Sequence, residues 1–195
     1  MAVSLHPRSP ILAPVPLEPP SLMPDLSAPA VTFRVSRIEG NSMHPQEAAA
    51  KAIASIAHKG QTDKNGEDYI SHPSRVADRL SEPAQVAAAW LHDVIEDCSE
   101  VFAGTPPFGI TGDDLLRAGI ETEVVDAVVL LTRAADGKGG DAYYQAIRRN
   151  PIALAVKRAD IADNLDPART LNLAPVKRER LAEKYAHALA ILGEE

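Results

Sequence analysis

The chain has 195 residues, enough for one domain with a hydrophobic core, and a formal net charge of −7. An acidic chain is not expected to bind nucleic acid, because neutralising phosphates requires an excess of lysine and arginine. Its single cysteine excludes an internal disulfide framework, and the lack of a long apolar run or a signal-peptide core predicts a cytoplasmic protein with no membrane partner.

Prolines divide the chain into two parts. Nine of the sixteen prolines lie in residues 1–45, where they prevent helices and sheet ladders from forming. Residues 1–45 are therefore predicted to be a flexible, proline-rich N-terminal tail. Residues 46–195 are predicted to form a single all-α domain, because no alternation typical of strands competes with the helical patterns.

About eight helices are expected in that domain, and several begin at a proline, which is favoured at the first helical position. In chain order the predicted helices cover residues 45–58, 72–81, 83–97, a short segment capped at Thr111 and ending near Gly119, and then 124–132, 141–150, 151–165 and 175–192.

Four ionisable side chains interrupt the apolar run of residues 89–98: His92, Asp93, Glu96 and Asp97. On one continuous helix, their spacings of three and four residues place all four on the same side. Clustered carboxylates beside an imidazole repel each other unless a positive charge holds them, and a divalent metal ion is one such partner. The segment indicates part of a metal-dependent hydrolytic site, the alternative being a solvated acidic helix face.

Other parts of the chain supply candidate partners for this segment. His58 lies near the end of the first predicted helix, where a core or capping role is the alternative. Asp160 and Asn164 share a helix face, with Asp163 alongside, and an ordinary charged surface is the alternative there. His72 is interpreted as a structural residue preceding Pro73.

The order of these residues resembles that of the HD metal-dependent phosphohydrolases: His58, then His92-Asp93-x-x-Glu96-Asp97, then Asp160-x-x-x-Asn164. The flanking words resemble the hydrolase domain of the RelA/SpoT homologues, which remove the 3′-pyrophosphate from ppGpp and pppGpp. These words are His58-x-Gly60-Gln61, Lys64-x-Gly66, Tyr69-Ile70-x-His72-Pro73, Leu131-Thr132-Arg133 and Val156-Lys157-x-Ala159-Asp160. The resemblance covers about residues 46–192 and implies a single HD-domain helical bundle.

The resemblance implies a metal site and a catalytic pair. His58, His92, Asp93 and Asp160 are the implied ligands of one metal ion. Manganese is the usual ion of the family, and zinc or iron also suits these ligand types. Glu96 and Asp97 are implied to position and activate the attacking water, with orientation of His92 as the alternative role for Glu96.

The resemblance also implies contacts with a small nucleotide substrate. Lys64 and Lys157 are the first candidates for binding its phosphates, with Arg133 and Arg158 behind them, and ordinary surface cations are the alternative. Asn164 matches a position that contacts the nucleoside. Tyr185 resembles a residue near the base or ribose, with a core tyrosine as the alternative.

One departure from the family bears on the substrate: Asp63 stands where alarmone hydrolases commonly have arginine. This carboxylate would add negative charge beside a polyphosphate. The expected function is removal of the 3′-pyrophosphate from ppGpp-like nucleotides. The alternatives are hydrolysis of another nucleotide (5′-nucleotidase, ppApp or NADPH phosphatase type) and a non-catalytic metal-binding scaffold. A homo-oligomer formed through the last helix is compatible with the sequence.

Overall fold

The structure is a computed structural model that describes residues 43–63, 65–98, 109–133, 140–171 and 173–193. These residues contain ten helices and no strand, apart from one isolated antiparallel bridge between Thr62 and Asp68. The helices are α1 (Pro45–Ala57), α2 (Ser71–Ala77), α3 (Pro83–Leu91), α4 (Val94–Asp97), α5 (Gly112–Arg117), α6 (Thr122–Leu131), α7 (Asp141–Arg148), α8 (Pro151–Asn164), α9 (Pro167–Thr170) and α10 (Pro175–Leu192). The predicted all-α class is confirmed.

Helix starts follow the local signals in the sequence. Proline occupies the first position of α1, α3, α8 and α10, as expected. Thr111 and Asp114 form a reciprocal capping box at the start of α5. The short helix α9 was not predicted. The tail predicted for residues 1–45 lies outside the described residues except for residues 43–45, and it stays a prediction.

The prediction of one continuous helix over 83–97 is wrong, because the helix is interrupted at His92 and Asp93, between α3 and α4. The His92 imidazole donates from Nδ1 to the carbonyl of Ala89, at 2.6 Å. That carbonyl is the one that the Asp93 N–H would need in an uninterrupted helix. Asp93 instead adopts φ −105° and ψ −4°, so the four ionisable groups do not share one helix face.

Helix α3 is the centre of the bundle and packs against α1, α2, α6 and α8. Its last five residues, 87–91, are all buried, so hydrophobic packing fixes the end of the helix from every side. The His92–Asp93 turn follows directly on this anchored end and is held in place by it. Within the described ranges, no helix is both long and apolar enough to cross a membrane.

Candidate active site

A cavity of about 930 Å³ lies between the His92–Asp93 turn and the helices α8, α9 and α10. One end is acidic, and its walls include Tyr69, His72, Asp93, Asp97 and Asp160. Basic side chains from α9 and α10 line the same cavity, and Arg169 of α9 lies 3.3 Å from His72 at the acidic end. A cavity of this volume is large enough for a nucleotide-sized ligand.

Two buried imidazoles at the acidic end each have one nitrogen without a hydrogen-bond partner. His58 and His92 are 2% and 3% exposed, and the Nε2 atom of neither has a hydrogen-bond partner, although His92 Nε2 lies 3.1 Å from Asp93 Oδ2 as an ion pair. The opposite nitrogen of each ring is bonded: Nδ1 of His58 to Gln61 Oε1 at 2.7 Å, and Nδ1 of His92 to Ala89 O. Buried polar atoms are rarely left unpaired, so His58 Nε2 in particular indicates an absent ligand.

His72 joins the cluster, although the sequence indicated only a structural role. Its Nε2 lies 3.4 Å from Asp160 Oδ1 and 3.6 Å from Asp93 Oδ2. Side-chain ligand atoms of His72, His92 and Asp160 lie within 4.8 Å of one another, a spacing suited to a metal ion. The sequence signal was the Tyr69-Ile70-x-His72 word, which places His72 one turn beyond Tyr69.

The charges at this end are dominated by carboxylates. Burial alone would lower the pKa of His92, but the negative charges of Asp93 and Asp160 outweigh it and raise that pKa to about 9. Burial lowers the pKa of His58 and favours its neutral ring. A field that holds a proton on a buried imidazole also attracts a divalent cation.

The Tyr69 hydroxyl bridges two carboxyl groups of the site. It lies 2.6 Å from Asp93 Oδ2 and 2.7 Å from Asp97 Oδ2. A hydroxyl has one proton to donate, so both contacts are hydrogen bonds only when one of the carboxyl groups is protonated. Burial and then the charge of Asp93 raise the pKa of Asp97. The pKa of Asp93 is lowered, so Asp97 is the carboxyl group of the two that binds a proton more readily.

The two predicted catalytic carboxylates have different surroundings. The Glu96 carboxylate binds Arg133 at three points: Nη2 at 3.0 Å, the backbone N–H at 3.1 Å and Nε at 3.3 Å. Arg133 lines the cavity, whereas Glu96 does not. Asp97 does line the cavity, so it has the more direct access to a bound substrate.

The predicted substrate contacts are only partly brought together. Lys157 lines the cavity with Nζ 2.9 Å from Asp160 Oδ2, and Asn164 donates from Nδ2 to Asp160 Oδ1 at 2.6 Å. Tyr185 also lines the cavity and is 7% exposed, and burial raises its pKa to about 12. Arg158 is not on the lining, and its Nη2 donates to Gly193 O beyond the end of α10. Lys64 lies outside the described residues.

Basic residues of α10 also line the cavity, and they were not among the residues expected from the sequence. Lys177, Arg180 and Lys184 line the cavity at spacings of three and four residues, which place them on one helix face. We call these three residues the α10 basic face. Among the described residues, neither Lys177 nor Arg180 has an ion-pair partner. Their spacing was visible in the sequence, but it is also typical of a solvated face.

Asp63 does not present an uncompensated charge to the cavity. Its side chain is 5% exposed and lies 3.4 Å from Arg169 Nη2. Its Oδ1 accepts hydrogen bonds from the backbone N–H groups of Asn65 at 2.8 Å and Glu67 at 3.1 Å. These contacts outweigh burial and lower the pKa of Asp63. The carboxylate therefore organises its own loop, and the charge expected to repel a polyphosphate is balanced by Arg169.

Similarity to known proteins covers most of the chain. It is 31% identical over 166 residues to "GTP pyrophosphokinase" of Streptomyces coelicolor, covering 80% of this chain and 18% of that protein. It is 34% identical over 152 residues to "Guanosine-3′,5′-bis(diphosphate) 3′-pyrophosphohydrolase" of Vibrio cholerae, covering 72% of this chain and 20% of that protein. The chain thus spans about a fifth of these relatives. No protein-family model matches it.

A solved structure shares the fold. It is described as "A metazoan ortholog of SpoT hydrolyzes ppGpp and plays a role in starvation responses" and aligns with a TM-score of 0.62 at 18% identity. The alignment covers 78% of this chain and 88% of that one. The sequence relatives confirm the resemblance to RelA/SpoT proteins, and the shared fold confirms the helical architecture expected of their hydrolase domain.

Proposed function

We propose, from this resemblance to the hydrolase domain of RelA/SpoT proteins, that the chain is a metal-dependent hydrolase that removes the 3′-pyrophosphate of ppGpp-like nucleotides. The observation that carries the proposal is the mixed charge of the cavity lining. Asp93 and Asp160, which both approach His72 Nε2, line the same cavity as the α10 basic face. This arrangement suits a substrate that carries several phosphates.

The residues at the acidic end fit a divalent cation. His58, His92, Asp93 and Asp160 would hold it, and His72 offers a further nitrogen toward the same carboxylates. Imidazole and carboxylate ligands suit manganese, which we propose as the working metal. When bound, such an ion polarises a phosphoryl oxygen and lowers the pKa of water.

Asp97 is the proposed proton acceptor. It lines the cavity, and Tyr69 holds its Oδ2 at 2.7 Å. A carboxyl group whose pKa is raised by burial and by Asp93 accepts a proton from water more readily than an ordinary aspartate does. Glu96 holds Arg133 at the cavity wall through three contacts, and we propose that this pair orients the guanidinium toward the leaving pyrophosphate.

Substrate phosphates need cations that other groups do not already neutralise. Lys157 is paired with Asp160, and Arg169 is shared between Asp63 and the buried Asp163. Lys177 and Arg180 are exposed and line the cavity, without an ion pair among the described residues. They are the proposed contacts for the substrate phosphates that do not reach the metal ligands. The pairing of Asp63 with Arg169 supports a highly charged nucleotide as the substrate.

The direct test is product analysis. Metal-stripped protein is incubated with Mn²⁺ and, separately, with ppGpp, pppGpp, ppApp, NADPH and nucleoside monophosphates. We expect pyrophosphate to be released from ppGpp, and an Asp97→Asn variant to lose activity by about 10²–10⁴-fold while still binding Mn²⁺. Cleavage of another nucleotide with ppGpp left intact would refute the substrate assignment. No turnover with any nucleotide, although Mn²⁺ binds, would favour the scaffold alternative.

A further inference from the structure

We infer that Gln61 is a positioning residue of the metal site, which sets the proton of His58 and ties this imidazole to the segment that carries Asp97. The inference rests on the metal site of the proposed function. It starts from the contacts of the Gln61 carboxamide, each of which has a defined direction.

The orientation of the carboxamide follows from its partners. Gln61 Nε2 lies 3.2 Å from the carbonyl oxygen of Asp97. A carbonyl only accepts, so the amide nitrogen faces Asp97 and the amide oxygen faces His58, 2.7 Å from Nδ1. The His58 Nδ1 must then carry the hydrogen, which leaves the lone pair of a neutral ring on Nε2. Nε2 is the buried atom without a partner.

His92 shows the same arrangement with a different support. Its Nδ1 donates to the backbone carbonyl of Ala89, and its Nε2 is buried 3.1 Å from Asp93 Oδ2. In both imidazoles Nδ1 is therefore engaged and Nε2 is the remaining ligand atom, one ring being oriented by backbone and the other by a side chain. Only the support of His58 can be removed by a single substitution.

The local backbone brings Gln61 back to His58. Gly60 has φ +80°, a left-handed conformation that favours glycine, and it reverses the chain directly after α1. Gln61 can thus contact both the imidazole three residues earlier and the carbonyl of Asp97 at the end of α4. One carboxamide therefore links the proposed ligand on α1 to the segment that carries the proposed proton acceptor.

The matched control is Gln46, in the first turn of α1, the helix that ends next to His58. Its carboxamide makes two hydrogen bonds with backbone groups, donating to Gly119 O at 3.0 Å and accepting from Glu121 N at 3.0 Å. Twelve residues of helix separate it from His58, or about 18 Å. Replacement of Gln46 by methionine removes similar bonds without touching the site.

The first measurement is Mn²⁺ affinity of the metal-stripped full chain, read from free Mn²⁺ by electron paramagnetic resonance. We expect Gln61→Met to weaken binding about 10–100-fold, Gln61→Glu to stay within about threefold because its carboxylate still accepts from Nδ1, and Gln46→Met to match the wild type. Equal affinity of Gln61→Met and the wild type, or no Mn²⁺ binding by the wild type, would overturn the inference.

The second measurement needs no metal. A long-range ¹H–¹⁵N correlation spectrum of the metal-free protein should show His58 with its hydrogen on Nδ1, and the Gln61→Met variant should lose this preference. A hydrogen on His58 Nε2 in the wild type would overturn the inference, whether or not the methionine variant folds. Loss of Mn²⁺ binding in Gln61→Met, with no nucleotide cleaved by the wild type, would support the inference and reject the proposed function. If the wild type cleaves ppGpp and Gln61→Met binds Mn²⁺ as tightly as the wild type, the proposed function stands and the inference is rejected.

Discussion

Two carboxylates lie on opposite edges of the His72 ring, and they differ in what neutralises them. Asp163 Oδ2 is 2.8 Å from His72 Nδ1, whereas Asp93 Oδ2 is 3.6 Å from His72 Nε2. Asp163 is fully buried and contacts Arg75 and Arg169 directly. Asp93 has histidine and tyrosine neighbours, and among the described residues it has no lysine or arginine within ion-pair distance.

The difference separates a structural ion-pair cluster from a ligand site. A buried carboxylate that is surrounded by guanidinium groups has its charge balanced within the protein. A carboxylate that faces imidazoles and other acids is balanced only by a proton on an imidazole, which a metal ion can displace. Removing the charge should therefore have different consequences at these two positions.

The largest expected effect is that of Asp93→Asn on metal binding. An amide is a much weaker metal ligand than a carboxylate, so Mn²⁺ affinity should fall by more than about a hundredfold. This exceeds the loss typical of removing a residue that only hydrogen-bonds to a ligand. Nucleotide hydrolysis should fall below detection. The metal-free variant should lose less stability than Asp163→Asn, because the neighbouring His92 can release its proton once the carboxylate is gone, whereas a guanidinium cannot. Titration calorimetry and urea denaturation measure the two properties, and a loss of stability as large as that of Asp163→Asn would contradict the comparison.

Asp163→Asn should show the converse pattern. Removing this charge leaves the guanidinium groups of Arg75 and Arg169 without their carboxylate, at a cost of about 3 kcal/mol in the free energy of unfolding. Urea denaturation of the metal-free protein measures this change. Mn²⁺ affinity should fall less than in Asp93→Asn, and a larger loss would place Asp163 within the metal site.

The dependence of stability on pH tests the ion-pair cluster of Asp163. Burial opposes ionisation of Asp163, but hydrogen bonds from His72 and Arg75 and the charge of Arg169 lower its pKa. A carboxyl group whose pKa is lowered in the folded state stabilises the protein at pH values above its unfolded-state pKa of about 3.9. This stabilisation is lost as the pH falls through the folded-state pKa. Metal-free wild type should thus lose stability steeply below about pH 4. The Asp163→Asn variant should show a shallower loss, and identical slopes would contradict this assignment.

Local signals in the sequence located several elements around the candidate site. Prolines at helix starts located α1, α3, α8 and α10, and the His92-Asp93 and Asp160 words identified residues that meet across the bundle. The break after α3 could not be predicted, because it depends on a bond from an imidazole to the carbonyl of Ala89. A prediction from helical spacing assumes that no side chain takes a backbone carbonyl that the helix needs for its own hydrogen bond.

Charge compensation over long distances was also invisible in the sequence. Asp63 suggested repulsion of a polyphosphate, but its partner Arg169 lies 106 residues later. His72 looked structural beside Pro73, and it does bind Asp163, yet its second nitrogen faces Asp160 and Asp93. The His72 ring thus contacts carboxylates through both of its nitrogens, so it belongs both to the ion-pair cluster and to the candidate metal site. The α10 basic face had a visible spacing, but only tertiary packing turned it toward the cavity.

The smallest expected effect concerns the α10 basic face and extends the comparison from the carboxylates to the cations that line the cavity. Lys177→Ala should raise the KM for ppGpp about fivefold, equivalent to about 1 kcal/mol, with little change in kcat. Arg178→Ala is the matched control, since this neighbouring exposed cation does not line the cavity. The KM of the wild type should rise with salt more steeply than that of the lysine variant, because an exposed charge contact is screened. Equal KM values for the two variants would mean that substrate phosphates do not reach α10.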